Sequence, residues 1–138
     1  MLGNFQHSQL RLEVEAAAPV IRDSLTKIPQ LRQWLAPLPL GEGLPERLIP
    51  GVTLHTGVAL ATLTQTVDRL GDDHLRLILS GAIDGFHEWY WGDGWVQSRL
   101  EGISLLPLNL GQTLSLLKLK QFVTTVKINL IGSQCKLT

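Results

Sequence analysis

The sequence has a single cysteine, Cys135, so no disulfide can form within the chain. That suits a reducing compartment, and a cytoplasmic location is expected. Charge of either sign is not in excess. Twelve basic residues balance twelve acidic ones, which favours neither nucleic acid nor an anionic membrane as an electrostatic partner. No apolar run reaches the ~20 residues that a transmembrane segment needs. The opening residues, MLGNFQHSQ, lack the basic-then-apolar pattern of a signal peptide, and Leu2 stands where N-myristoylation requires glycine. There is no HxxxH or CxxC spacing, no GxSxG elbow and no glycine-rich phosphate loop, so neither a metal nor a cofactor is implied. Internal repeats and low-complexity tracts are also missing. A chain of 138 residues fits one domain that buries roughly two-thirds of its unfolded surface.

What the sequence does have is concentrated between Gly81 and Pro107, GAIDGFHEWYWGDGWVQSRLEGISLLP. This stretch holds three of the four tryptophans and the only tyrosine. Asp-Gly between two alternating runs predicts a hairpin: one strand over Phe86–Trp91, a turn at Gly92-Asp93-Gly94, and a return strand over Trp95–Ile103. With Asp93-Gly94 as the central pair, Trp91 faces Val96, Trp89 faces Ser98, Glu88 faces Arg99 and His87 faces Leu100. A three-residue loop would shift every pair by one. In the first register one face carries His87, Trp89, Trp91, Val96 and Leu100. The other carries Phe86, Glu88, Tyr90, Gln97, Arg99 and Glu101.

Around this hairpin the pattern changes twice. Residues 5–14 alternate as a half-buried strand. Residues 19–36 read as two short helices: Pro19 suits a first turn, and Pro29 ends one helix and begins the next, which carries Trp34. Residues 37–51 hold four prolines and three glycines. They form a loop too apolar for a free linker, with an edge segment near Arg47–Ile49. Residues 52–103 are strand-like, with Leu70-Gly71-Asp72-Asp73 as a turn. Whether Gly57 divides the first part into two strands stays open. From about 110 to 127 the period becomes helical. Asn109 and Gln112 have capping-box spacing, and Leu116, Leu119, Val123, Val126 and Leu130 make an apolar stripe. Strands clustered between helices predict an α+β fold, a curved antiparallel sheet with a long C-terminal helix over its concave face.

This order resembles the helix-grip fold of the START-like (SRPBCC) superfamily. The local features that carry the resemblance are Ala17-Ala18-Pro19 with Val20 at the first helix, Trp34 in the second, and Pro50-Gly51 before the strands. The Gly81…Gly85…Trp89…Trp91 spacing and Pro107 ahead of the last helix complete it. The chain is similar to small, uncharacterised single-domain members. The resemblance implies a cavity between sheet and long helix that accepts a hydrophobic small molecule or lipid. It implies no activity.

The candidate ligand-pocket residues are therefore His87, Trp89, Trp91, Leu100, Arg99 and Trp34, with Leu116, Leu119 and Val123 from the helix. Each has a plainer reading. The indoles and aliphatic residues serve equally as core, His87 as a satisfied histidine beside it, and Arg99 as the cross-strand partner of Glu88. No residue is assigned as catalytic. Three functions follow. The first is a hydrophobic-ligand or lipid-binding protein. The second is a cyclase- or hydrolase-like enzyme on a polyketide or aromatic substrate, with His87 as acid–base group and Arg99 as anchor. The third is a protein-interaction module with a filled cavity.

Overall fold

The computed structural model describes residues 3–58 and 61–136. The first strand, β1 (Asn4–Glu13), runs antiparallel to the last, β6 (Trp95–Ser104), from Asn4 opposite Ser104 to Glu13 opposite Trp95. Between them lie β2 (Thr53–Val58), β3 (Ala61–Leu70), β4 (His74–Gly81) and β5 (Asp84–Gly92). Together they form one curved antiparallel sheet in the order β1-β6-β5-β4-β3-β2. The stretch around Gly57 is thus two strands, with Gly57 opposite Thr62; residues 59 and 60 lie outside the described residues. The hairpin has the first of the two registers: His87 opposite Leu100, Glu88 opposite Arg99, Trp89 opposite Ser98 and Trp91 opposite Val96. Period-two alternation then places Leu75, Leu77 and Leu79 of β4 on the concave face with Trp89 and Trp91, and all five are buried.

Two helices follow β1. The first, α1 (Ala18–Thr26), buries Ile21 and Leu25; the second, α2 (Ile28–Leu35), buries Ile28, Leu31 and Trp34. Lys27 between them is extended, at φ −88 and ψ 121. The bend is held from both sides. Trp34 Nε1 donates to the Ser24 carbonyl at 2.8 Å. The Ile28 N–H donates to Glu46 O, and the Leu48 N–H to Thr26 O, at 2.8 and 2.7 Å. These last two bonds make the expected edge segment, and the loop packs Leu40 and Leu48 into the core.

The hairpin turn has a second task. Asp93 Oδ1 accepts from the Ala18 N–H at 2.8 Å, so a residue 75 positions away caps α1. Gly94, at φ +83, closes the turn; its N–H donates to Ala16 O, and its carbonyl accepts from Val14 N–H.

The last helix, α3 (Leu108–Lys136), is longer than the 110–127 predicted. No proline follows Pro107, so nothing in the backbone requires it to stop. It packs on β1 and β6, with α1 and α2 beside it. The side chains of Lys127, Leu130 and Cys135, which the sequence reading used, lie outside the described residues. No helix among the described residues is long and apolar enough to cross a membrane.

Replacing Asp93 with alanine should cost about 1 kcal/mol of folding stability, the usual worth of a side-chain cap. Chemical denaturation of Asp93→Ala beside wild type measures it, with an unchanged denaturant slope expected.

Candidate functional site

Because α3 rests on the β1–β6 side of the sheet, the concave face of β2–β5 is only partly covered. A cavity of about 460 Å³ remains there. Its floor is Leu54, Leu63, Leu75, Leu77, Leu79, Trp89 and Leu100. Leu25, Leu31, Trp34 and Leu35 wall it from α1 and α2, and Leu108, Gly111, Gln112 and Ser115 from α3. The exposed lining residues Leu38, Leu106, Leu110, Leu114 and Lys118 mark its mouth. Lys118 Nζ donates to the Ala36 carbonyl at 3.3 Å, which ties α3 to the end of α2 across that opening.

Four polar side chains, Ser8, Gln112, Ser98 and His87, form one hydrogen-bonded chain into the interior. Gln112 is 2% exposed. Its Oε1 accepts from Ser8 Oγ at 2.6 Å. Its Nε2 lies 3.1 Å from Ser8 O, 2.9 Å from Ser98 O and 3.0 Å from Ser98 Oγ. The two carbonyls can only accept, so the amide orientation is fixed and its two hydrogens are shared among three acceptors. Ser98 Oγ then donates its own proton to His87 Nε2, 2.6 Å away. A neutral His87 therefore carries its hydrogen on Nδ1. The ring is neutral because burial among apolar side chains disfavours the imidazolium; its pKa is lowered to about 3. The Trp89 ring packs beside it, with centroids 4.5 Å apart. On the cavity floor Gln65 makes no hydrogen bond with its side chain among the described residues, and Thr56 Oγ1 lies 3.4 Å from Leu63 O.

Of the nine candidates, Trp34, His87, Trp89 and Leu100 line the cavity. Trp91 does not. It lies deeper, 2% exposed, with Nε1 donating to Asp72 O at 3.0 Å. Leu116, Leu119 and Val123 also fall outside the lining, because they point from α3 straight into the core. An adjacent strip of the same helix faces the hollow instead.

Arg99 is a correction of another kind. Strand alternation puts it on the convex face, opposite in sense to its neighbour Leu100. There its Nη2 lies 3.3 Å from Glu101 Oε1, and its guanidinium 5.7 Å from the Phe86 ring centroid. Nor does it ion-pair with Glu88. Glu88 has a cross-strand neighbour on each side, and it pairs with Arg76 of β4 at 3.2 Å. Arg76 also reaches Asp68, and Tyr90 donates its hydroxyl to Glu88. That hydrogen bond is the largest of the effects that raise the Tyr90 pKa, ahead of its partial burial.

The sequence reading missed Ser8, Ser98 and Gln112, and the Lys118 tie at the mouth. By spacing alone, Gln112 fits the third residue of a capping box on Asn109. Instead Gln6 of β1 caps the helix, its Oε1 accepting from the Leu108 N–H at 2.9 Å. A signal was present. Counting back four residues at a time from Leu116 extends the buried stripe to Gln112 and Leu108, which makes Gln112 the one polar member of an apolar row.

No family model matches the sequence, and no curated protein matches it. Solved structures do share its fold. A protein of Chromobacterium violaceum superposes with a TM-score of 0.65 at 18% identity, over 85% of this chain and 96% of its own. An uncharacterised protein from Rhizobium leguminosarum gives 0.63 at 15% identity, over 91% of this chain and 99% of its own. DynU16, a protein of the dynemicin biosynthetic locus, gives 0.65 at 14% identity over 86% of this chain. This chain spans 47% of DynU16, about half its length. At these identities the likeness is one of fold.

Two measurements test the network. Gln112→Ala leaves Ser8 and Ser98 without their partner and opens a void, so it should cost about 3 kcal/mol, whereas Gln121→Ala on the exposed side of the helix should change stability by less than about 0.5 kcal/mol. The second measurement follows the pH. Unfolded His87 takes up a proton near 6.5, and folded His87 only near 3. Between those values acid favours the unfolded chain, by at most about 1.4 kcal/mol per pH unit, and above 6.5 the residue has no effect. Wild type should therefore lose more stability than His87→Gln as pH falls from 6.5 towards 4. The His87 ring resonances should also stay constant from pH 5 to 8.

Proposed function

We propose that this protein binds a hydrophobic small molecule or lipid in the hollow between its sheet and α3, as a START-like, helix-grip domain. The observation that carries this reading is the cavity itself: about 460 Å³, walled by leucines, Trp34 and Trp89, and open at one end. Sites for small molecules have this size and this apolar character, with a few polar groups to orient the guest. Here the inner polar groups are uncharged. His87 is neutral and Gln65 is an amide, so a ligand with a neutral oxygen at its buried end is favoured over one with a buried carboxylate. Any charged end belongs at the mouth, where Lys118 stands.

The enzyme reading has less support. Its two assigned groups, His87 and Arg99, project from opposite faces of the sheet. A histidine whose pKa lies near 3 is also a weak base at neutral pH. The interaction-module reading required a filled interior, and an open hollow of this volume favours a ligand instead.

Native mass spectrometry of the protein purified from its host should show an apolar adduct. Fatty acids or aromatic polyketides should raise its unfolding temperature, since a ligand held only by the folded state stabilises it by mass action. Leu77→Trp fills the floor and should weaken binding by tenfold or more, roughly the effect of losing one well-packed contact. A clean apo mass with no thermal shift from any of these ligands would sink the proposal.

A further inference from the structure

The zero net charge conceals an uneven distribution. Glu101 is the last acidic residue of this sequence; residues 102–138 carry four lysines and no aspartate, glutamate or arginine. The apolar residues of α3 also form two rows. One row, with Leu116, Leu119 and Val123, is buried. The other is Leu110, Leu114 and Leu117, which are 60%, 54% and 52% exposed. At about 100° per residue these three fall within an arc of roughly 60°, and Lys118 and Lys120 flank it on either side. Leu110 and Leu114 belong to the cavity mouth, beside the exposed Leu38 and Leu106.

A large exposed leucine surface marks a contact site, and its chemistry indicates the partner. We propose that this surface docks on an anionic lipid bilayer and brings the cavity mouth against it. Leucines enter the boundary between headgroups and acyl chains, while lysine stems lie along the apolar surface and carry their ammonium groups to the phosphates. A second copy of this chain is a poorer occupant. Across a two-fold axis the row would meet its own lysines, and no acidic residue in 102–126 is there to pair with them. The docking does not depend on the cavity holding a ligand, so the two proposals can fail separately.

Flotation with vesicles of phosphatidylcholine, alone or with about one-third phosphatidylglycerol, tests it. The protein should float with the anionic vesicles on the order of tenfold more strongly than with the neutral ones, and less as salt rises. Leu110→Asp/Leu114→Asp should abolish flotation with an unchanged unfolding midpoint, since both side chains are exposed. Lys118→Gln/Lys120→Gln should weaken it by on the order of tenfold. No flotation with either vesicle overturns the proposal, and equal flotation with both does so too. A concentration-dependent dimer in light scattering that the leucine variant abolishes would assign the surface to a second copy instead.

Discussion

Gln112 reaches from the second turn of α3 into the sheet, where one amide meets both β1 and β6. Three of its contacts are to Ser98 and Ser8 backbone or side-chain oxygens between 2.9 and 3.1 Å, and the fourth accepts from Ser8 Oγ. A buried amide left unsatisfied costs more than a typical hydrogen bond contributes, so this side chain specifies position more than it adds stability. It pins the start of the helix over the β1–β6 edge. Gln6 and Ser104 fix the chain just before it: Gln6 Nε2 donates to Ser104 O, and the Leu106 N–H to Ser104 Oγ. With the helix held on that side, the sheet curls away beneath it, and the space over β2–β5 is left to α1, α2 and a ligand.

The same interaction reaches the ligand site. Ser98 is shared between Gln112 and His87, so the side chain that places the helix also sets the histidine's tautomer. Support from below, through one serine, is what keeps a lone imidazole oriented in an apolar wall. Trp89 beside it restricts the ring from the flank.

Much of this was legible in the sequence. Strand alternation and Asp93-Gly94 predicted the hairpin, its faces and one of its two registers, because those signals are local and periodic. Proline at positions 19 and 29 located both short helices. What was illegible was any choice made by distant residues. Asn109 and Gln112 fit a capping box by spacing alone, yet Gln6 caps the helix from about a hundred residues away, and Gln112 turns inward. Glu88 faced Arg99 in the predicted hairpin, but the hairpin could not reveal Arg76 waiting on its other flank. By sequence Leu116, Leu119 and Val123 fit a pocket wall as well as a core, because apolar residues look alike whether they border a hollow or fill one. Arg99 differs: strand alternation alone sets it on the face opposite Leu100, away from the pocket.

The two surfaces of the sheet divide the protein's chemistry. Charge is spent on the convex side, where Asp68, Arg76 and Glu88 compensate one another across three strands, and Glu101 pairs with Arg99 and hydrogen-bonds with His7. These side chains are paired with one another and, Glu88 apart, at least partly exposed, so they impose little on the interior. Among the described residues, the concave side carries no ionised group in its lining except Lys118 at the rim. An interior of this kind selects by shape and by a single hydrogen bond. It leaves electrostatics to the outside of α3, where the leucines that water tolerates poorly stand among lysines that have no carboxylate in the same stretch. The binding hollow and its exposed rim are therefore consequences of one arrangement: a helix fastened at one edge of a curved sheet, with an apolar row on each of its two faces.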